Sequence, residues 1–169
     1  MNKLTIITGN GKGKTTSAMA LAAKAAIEGK RVYFGQFMKD GNYSEIKMIK
    51  EAFPEVTIEQ YSGGFVLVQN PQEKDKALAQ AGLEAAKVAV QSNEYDLIIL
   101  DEINIVLFLE MVSLEEVLEL VKSSQTPLIF TGRYADPALL ALASGASYEM
   151  LQVKHYYNDG VAARVGFEM

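Results

Sequence analysis

A glycine-rich stretch near the start of the chain, TGNGKGKTT from Thr8 to Thr16, limits the possible folds more than any other feature. It lies between a short apolar run, LTIIT, and an alanine-rich segment with helical periodicity. Glycines allow a backbone turn whose amides point at an anion, and the N-terminus of the next helix adds positive potential. This context predicts a strand, a phosphate-binding loop and a helix, rather than a mere glycine turn before a helix.

The loop contains side chains suited to a nucleotide. The Lys14 ammonium would reach the phosphate oxygens, and the Thr15 hydroxyl would ligate Mg²⁺. The other candidate nucleotide ligands share this loop and are Gly9, Asn10, Gly11, Lys12, Gly13 and Thr16. Lys12 has two interpretations, a phosphate ligand or a solvated loop lysine, because exposed lysines are common.

The spacing of the loop is unusual. The common pattern has a glycine five residues before Gly13, and this chain has Thr8 there. The first glycine is Gly9, so the loop is one residue short. A shorter loop should hold a polyphosphate differently, which lowers the expectation of simple γ-phosphate hydrolysis.

Short β-branched runs alternate with longer segments of helical period, which predicts a parallel α/β sheet. The predicted strands are Lys3–Thr8, Arg31–Phe37, Glu55–Tyr61, Tyr95–Asp101 and Pro127–Thr131. The predicted helices are Thr15–Glu28, Tyr43–Ala52, Pro71–Ser92, Ser113–Lys122 and Pro137–Ala143. A last pair, Glu149–Val153 and Val161–Phe167, is joined by the turn YNDG and predicts a C-terminal antiparallel hairpin. No linker or repeat interrupts the pattern, so residues 1–169 are expected to form a single domain.

Composition excludes several classes of function. The 169 residues contain no cysteine and one histidine, His155, which excludes disulfides, thiolate metal sites and multi-histidine metal sites. The net charge of −5 predicts no sequence-independent binding to nucleic acid or to an anionic membrane. No run approaches the ~18 apolar residues of a membrane span, and the cytoplasm is the expected compartment.

An acidic pair follows the apolar run YDLIIL, which continues into Asp101 and Glu102. Ligands gather at the carboxyl ends of strands in parallel sheets, so this pair is expected near the phosphate loop. One carboxylate would hold Mg²⁺, directly or through water, and which of the two does so stays open. The alternative is a solvated acidic pair after a strand.

Other polar residues lie where strands are predicted to end. Arg133, in the motif TGR, could clamp polyphosphate oxygens with two parallel hydrogen bonds, and a plain surface arginine is the competing interpretation. Gln36 and Lys39 lie at the end of another predicted strand and are expected to face the site. His155 is interpreted either as a site residue or as a structural hydrogen-bonding residue.

Taken together, these motifs resemble those of the P-loop ATP:corrinoid adenosyltransferases. The shared segments, in chain order, are GNGKGKTT, GQFMK, GGFVLVQN, LIILDEIN, FTGR and VKHYYNDGVAARVGFE. They extend from about Thr5 to the C-terminus, and the short loop combined with the VKH tail is more specific than a phosphate loop alone. The resemblance implies a P-loop NTPase-like (RecA-like) α/β fold with a mainly parallel sheet flanked by helices.

The resemblance also implies a reaction. ATP would lie with its triphosphate in the loop, the cobalt of a reduced cob(I) corrinoid would attack C5′ of the ribose, and triphosphate would leave intact. Lys14, Glu102 and Arg133 are the candidate catalytic residues, because Lys14 and Arg133 would neutralise the leaving group directly and Glu102 would act through the Mg²⁺ that it holds. Such a reaction serves adenosylcobalamin biosynthesis or salvage. Cob(I)yrinic acid a,c-diamide, cobinamide and complete cobalamin are all open as the corrinoid substrate.

At the corrinoid end of the site, the resemblance assigns Phe65 of GGFVLVQN to the lower face of the corrinoid, in place of the lower axial ligand of cobalt. Better-known members carry a tryptophan just after this phenylalanine, whereas this chain contains none. The alternative for Phe65 is a core aromatic under a loop. Longer relatives have an N-terminal arm before the first strand, so a less enclosed site is expected here. The resemblance further implies a flavoprotein reductase partner and a homodimer.

Two other functions are also compatible with the sequence. An ATPase or small-molecule kinase would use the same loop, acidic pair and arginine, but it leaves the short loop and the VKH tail unexplained. A non-catalytic ATP- or corrinoid-binding protein would bind ATP without changing the corrinoid. Release of triphosphate in the presence of reduced corrinoid would separate the transferase from both.

Overall fold

The chain folds as alternating strands and helices in the computed structural model, which describes residues 4–39, 44–63, 71–144 and 146–154. The strands are β1 Leu4–Thr8, β2 Val32–Phe37, β3 Val56–Tyr61, β4 Leu97–Asp101, β5 Leu128–Thr131 and β6 Ser147–Glu149. The helices are α1 Lys14–Ile27, α2 Ser44–Ala52, α3 Glu73–Ser92, α4 Ile103–Phe108, α5 Leu114–Ser123 and α6 Pro137–Leu142.

These strands form one sheet in the order β3-β2-β4-β5-β1-β6, and every pairing is parallel. The strands β4, β5 and β1 are therefore consecutive neighbours. Parallel strands have their carboxyl ends at the same edge of a sheet, where ligands bind in such folds. The strand order thus brings the phosphate loop, the acidic pair and the TGR turn to one place.

Helices cover both faces of the sheet. One apolar cluster joins Ile98 and Leu100 of β4 to α3 and α5 through Leu83 and Val117. The other cluster joins Ile99 of β4 to side chains of α1 and α2. Alternate residues of β4 point to opposite faces, and both faces are buried, which explains why this strand is apolar throughout.

The predicted parallel α/β fold is confirmed. The carboxyl ends of all five strands predicted for the sheet match the structure, and the described helix boundaries differ from prediction by at most two residues. The predicted starts at Lys3 and Tyr43 lie outside the described residues. In the part of the chain that the structure describes, no helix has both the length and the apolar character needed to cross a membrane.

One helix was not predicted. Helix α4 follows β4 after a single residue, Glu102, whose left-handed φ of 66° turns the chain out of the sheet. Its sequence, INIVLF, has the β-branched composition typical of a strand, and six residues are too few to show a helical period. The first four residues of α4 are buried, so packing stabilises this helix against its local propensity.

The predicted C-terminal hairpin is wrong in its first arm. The prediction placed an antiparallel strand at Glu149–Val153, whereas the chain forms a short strand, β6, that ends at Glu149 and pairs with β1 in parallel. Beyond Glu149, the backbone amide of Met150 donates to the carbonyl oxygen of Thr8 at 2.8 Å. The first described residue after β6 therefore bonds to the end of β1. The second arm, Val161–Phe167, lies outside the described residues.

Candidate nucleotide-binding site

The phosphate loop connects β1 to α1 through two glycines with left-handed backbones. Gly9 has a φ of 97° and Gly13 a φ of 102°, conformations that side chains other than glycine rarely adopt. Gly13 is the N-cap of α1, and its carbonyl oxygen accepts a hydrogen bond of 2.8 Å from the amide of Ser17. The N-terminus of α1 and its positive potential therefore lie directly after the loop.

Two loop glycines are also required by the close approach of the chain after β6. A methyl group at Gly9 would lie 2.5 Å from the carbonyl oxygen of Met150, and one at Gly11 would lie 2.7 Å from the carbonyl oxygens of Met150 and Leu151. Gly11 also donates its amide to Met150. Gly9 and Gly11 are therefore needed both for the turn of the loop and for its close packing against this segment. The packing role was not predicted from the sequence.

Lys14 is held inside the loop. Its side chain is buried, and its ammonium donates to the carbonyl oxygens of Gly9 and Gly11, each at 2.8 Å. Burial is the main cause that lowers the pKa of Lys14 below its ordinary value. The nearby carboxylate of Glu102 opposes this shift, whereas the positive charge of Arg133 adds to it. The lysine is therefore pointed into the curve of the loop, where phosphate oxygens would replace the carbonyls as acceptors.

Asp101 is the fully buried centre of a hydrogen-bond network. It accepts from the Thr15 hydroxyl at 3.0 Å, from the Gln36 amide at 2.9 Å and from the Thr131 hydroxyl at 2.5 Å. The Lys39 ammonium lies 3.2 Å from the same carboxylate. The network links the ends of β2, β4 and β5 to the first turn of α1 and so fixes the edge of the sheet around the loop.

Two further hydrogen bonds extend this network. The side chain of Gln60, on β3, donates to Gln36 at 2.8 Å, and Gln36 in turn donates to Asp101. The backbone amide of Glu102 donates to the Thr131 hydroxyl at 3.0 Å. Thr131 is therefore a donor to one carboxylate residue and an acceptor from the other, and it fixes the acidic pair relative to β5.

Lys39 enters the site from the end of β2. Met38 has a left-handed φ of 57°, and its amide donates to Tyr61 at 3.2 Å, so the chain turns at the strand end. The Lys39 ammonium contacts Glu102 at 3.1 Å as well as Asp101. Burial alone would lower the pKa of Lys39, but the two carboxylates outweigh burial and raise the pKa to about 12. The side chain therefore stays positively charged at neutral pH.

The groups predicted to hold Mg²⁺ lie together. The Thr15 hydroxyl is hydrogen-bonded to Asp101, and the Glu102 carboxylate is ion-paired with the same Lys39 ammonium that contacts Asp101. Mg²⁺ is commonly held by one or two carboxylates together with substrate phosphates, so this oxygen set fits the ion. Among the described residues, no group of three or more histidine, cysteine, aspartate or glutamate side chains is placed to hold a metal ion.

A family model described as ATP:corrinoid adenosyltransferase BtuR/CobO/CobP matches residues 2–169. This chain belongs to the ATP:corrinoid adenosyltransferase family. A corrinoid adenosyltransferase of Escherichia coli (strain K12) is 32% identical over an alignment of 165 residues, and the match covers 96% of this chain and 83% of that protein. The resemblance stated from the motifs is thereby confirmed.

Two further comparisons place the adenosyltransferase-family chain among known proteins. An uncharacterized protein of Nostoc sp. (strain PCC 7120) is 38% identical over 183 residues, and this chain spans 48% of its length. Among solved structures, the cytoplasmic domain of EssC has a TM-score of 0.54 at 14% identity, covering 97% of this chain and 34% of that chain. At this identity the likeness supports the fold alone.

In this adenosyltransferase-family chain, the remaining predicted residues that the structure describes occupy different positions around the loop. Arg133 is exposed, and its positive charge contributes to lowering the pKa of Lys14. Asn10 is exposed and lines a cavity of about 410 Å³ beside the loop, together with Tyr134 and Glu149. Lys12 and Thr16 are exposed. Phe65 and His155 lie outside the described residues.

Two residues of the site escaped the sequence analysis. Thr131 belongs to the motif FTGR, for which no role of the threonine was predicted, although its hydroxyl lies at the carboxyl end of a strand. Asn104, in α4, is fully buried and donates to the carbonyl oxygen of Gly132 at 3.1 Å. This hydrogen bond connects the segment after the acidic pair to the TGR turn. No pattern in the sequence indicated this contact.

Proposed function

We propose that this chain transfers the 5′-deoxyadenosyl group of ATP to the cobalt of a reduced corrinoid and releases triphosphate. The observation that carries the proposal is the family match over nearly the whole chain. In the reaction, the electron pair of cob(I) forms the bond between cobalt and C5′. The bond between C5′ and oxygen breaks, and its electron pair leaves with triphosphate. Cobalt is formally oxidised from +1 to +3, and no proton is transferred in this step.

The charges around the loop suit this leaving group. Triphosphate departs with several negative charges, and cations placed in advance stabilise the charge that develops on it. Lys14 points into the loop, and Lys39 and Arg133 lie near it, as does the N-terminus of α1. We propose that Lys14 and Arg133 contact the triphosphate and that the loop holds the leaving oxygen in line with C5′ and cobalt.

We propose Mg²⁺ as the ion that accompanies ATP, with Thr15, Asp101 and Glu102 as the groups that hold it. When bound, Mg²⁺ would supply additional neutralisation of the leaving triphosphate. Asp101 is buried and accepts several hydrogen bonds, whereas the Glu102 side chain is 16% exposed. This difference favours Glu102 as the carboxylate that is more available to the ion or its water shell.

Hydrolysis of ATP is the rival reaction on this scaffold. It requires a group that orients or deprotonates water. The carboxylate of Asp101 is already engaged by Thr15, Gln36 and Thr131, and Glu102 is paired with Lys39. Cob(I) has no proton to lose and needs no such base, so adenosyl transfer demands less of these two carboxylates than hydrolysis does.

The corrinoid substrate, the protein partners and the cellular location are proposed from the family resemblance. We propose cob(I)yrinic acid a,c-diamide as the corrinoid, with cobinamide and cobalamin to be compared directly. Phe65 is proposed to face the corrinoid. A flavoprotein reductase that supplies the electron for cob(I), a homodimer and a cytoplasmic location complete the proposal.

An anaerobic assay with chemically reduced cob(I)alamin, ATP and Mg²⁺ tests the proposed function. Formation of the cobalt–carbon bond changes the visible absorbance of the corrinoid, and we expect this change with the wild-type chain. Lys14→Ala should abolish it, whereas Lys24→Ala, which removes an exposed lysine of α1, should retain it. Release of ADP or orthophosphate without corrinoid would overturn the proposed reaction, and an active Lys14→Ala variant would overturn the assignment of Lys14 to the site.

A further inference from the structure

The ammonium group of Lys39 lies among three oxygens that come from three separate segments of the chain. It is 2.5 Å from the Thr15 hydroxyl, 3.2 Å from a carboxylate oxygen of Asp101 and 3.1 Å from one of Glu102. These are the same three residues that the proposed function assigns to Mg²⁺. A single positive charge therefore occupies the point on which the proposed metal ligands converge.

The fold holds Lys39 there without fixing it rigidly. The backbone turn at Met38 directs the side chain toward the acidic pair, and the side chain is 25% exposed. Lysine is a compact charge on a flexible four-carbon stem, so its ammonium can move several ångströms while the backbone stays in place. Phosphate oxygens bound in the neighbouring loop would be within the range of such a movement, since Thr15 belongs to that loop.

Two cations cannot share this position. At separations of about 3 Å, an ammonium and a divalent ion repel one another strongly, and both would use the same oxygen lone pairs. Removal of the ammonium would leave Asp101 and Glu102 as neighbouring carboxylates with a hydroxyl beside them. Such a set of oxygens is a divalent-cation site of the kind that Mg²⁺ and Mn²⁺ use.

We propose that the Lys39 ammonium and a divalent metal ion are alternative occupants of the position formed by Thr15, Asp101 and Glu102. The ammonium holds the carboxylates in place and excludes a free metal ion. Arrival of a metal–polyphosphate complex offers Lys39 phosphate oxygens as new acceptors, and the metal ion then takes its former place. Lys39 is thus a positioning residue that makes metal binding conditional on the nucleotide. The inference rests on the proposed function only for the identity of the metal site.

The test is a titration of the nucleotide-free chain with Mn²⁺, in which electron paramagnetic resonance measures the hydrated ion that remains unbound. We compare the wild-type chain with Lys39→Met and Lys39→Gln, two neutral replacements of different polarity, each checked for folding by circular dichroism. Lys47→Met is the matched control, because it removes an exposed lysine of α2. Either Lys39 variant should bind Mn²⁺ at least tenfold more tightly than wild type, and Lys47→Met should not.

A second measurement separates this proposal from a purely structural ion pair. If the Lys39 ammonium and the metal ion are alternative occupants of this position, millimolar Mn²⁺ should raise the Tm of Lys39→Met and leave the wild-type Tm unchanged. Adding Glu102→Gln to Lys39→Met should abolish the gain in affinity. Equal Mn²⁺ affinity of wild type and both Lys39 variants, including no binding by any of them, would overturn the proposal. Since neither ATP nor corrinoid is present, a failure here is distinguishable from a failure of adenosyl transfer.

Discussion

The backbone amide of Gly11 donates a hydrogen bond of 2.6 Å to the carbonyl oxygen of Met150. This bond joins the middle of the phosphate loop to the first residue after β6, which lies beside β1 at the edge of the described sheet. Met150 also donates its amide to Thr8, the last residue of β1. The short loop is therefore shaped by a neighbouring segment of chain as well as by its own glycines.

Gly11→Ala tests this contact. The added methyl group would lie 2.7 Å from two carbonyl oxygens, so the loop or the segment after β6 must shift. We expect a loss of about 1–3 kcal/mol in the free energy of unfolding and at least a tenfold weaker affinity for ATP, measured by urea denaturation and isothermal titration calorimetry. Gly29→Ala is the control, because no described residue beyond its two chain neighbours has an atom within 4 Å of the added methyl group. Gly29→Ala should lose stability only because alanine is strained at the left-handed φ of 72°, and it should keep the wild-type affinity for ATP.

Thr131→Val tests the hydroxyl that connects the two carboxylate residues. The variant keeps the shape of the side chain but removes the donor to Asp101 and the acceptor for the Glu102 amide. Loss of these buried hydrogen bonds should cost about 1–3 kcal/mol of stability, and misplacement of Glu102 should lower the rate of adenosyl transfer. Thr126→Val, whose hydroxyl bonds to Tyr95 away from the site, should retain the rate. A Thr131→Val enzyme with the wild-type rate would show that this bridge is dispensable.

Gly82→Ala tests the packing of α3 on the sheet. A methyl group at Gly82 would lie 2.6 Å from the ring of Phe37 and 2.8 Å from that of Tyr61. Alanine favours a helix over glycine by about 1 kcal/mol, but overpacking costs about 1–3 kcal/mol, so we expect net destabilisation by urea denaturation. The reverse change at an exposed position of the same helix, Ala81→Gly, should cost only the propensity difference. Stabilisation by Gly82→Ala would contradict the packing described.

Alkaline pH should destabilise the protein through Tyr33. Burial, followed by hydrogen bonds to Tyr61 and Glu59, raises the pKa of the Tyr33 hydroxyl well above its ordinary value of 10.0. The unfolded chain therefore releases this proton near pH 10 while the folded chain keeps it. Stability is lost as the pH rises above 10, by up to about 1.4 kcal/mol per pH unit for one such group.

Tyr33→Phe removes this contribution. Urea denaturation between pH 8 and pH 11 should show a shallower loss of stability for Tyr33→Phe than for wild type, so the difference between the two proteins narrows as the pH rises. Tyr148→Phe, which alters an exposed tyrosine of β6, should follow the wild-type slope. Parallel curves for Tyr33→Phe and wild type would show that the Tyr33 proton is not linked to folding.

The sheet was predictable from sequence because its signals are local. Runs such as LTIIT and LIIL contribute to both apolar clusters, and LTIIT ends where β1 ends while LIIL ends one residue before the end of β4. The phosphate loop was predictable for the same reason, since its glycines and Lys14 lie between a strand and a helix. The position of Asp101 near Thr15 followed from the rule that ligands gather at the carboxyl ends of parallel strands.

The contacts that were not predicted depend on tertiary structure. The strand order places β6 beside β1, and only this arrangement brings Met150 to Gly11. Likewise, the bond from Thr131 to Asp101 requires β5 and β4 to be neighbours in a particular register. Asn104 lies in a helix whose residues resemble a strand, so burial rather than local propensity decides its structure.

Adenosyl transfer is tested most directly with ATP labelled with ¹³C at C5′, incubated anaerobically with cob(I)alamin, Mg²⁺ and the wild-type chain. We predict that the ¹³C resonance moves to that of a carbon bound to cobalt, while ³¹P spectra of the same sample show one triphosphate for each carbon transferred. An unchanged C5′ resonance accompanied by ADP and orthophosphate would contradict this account.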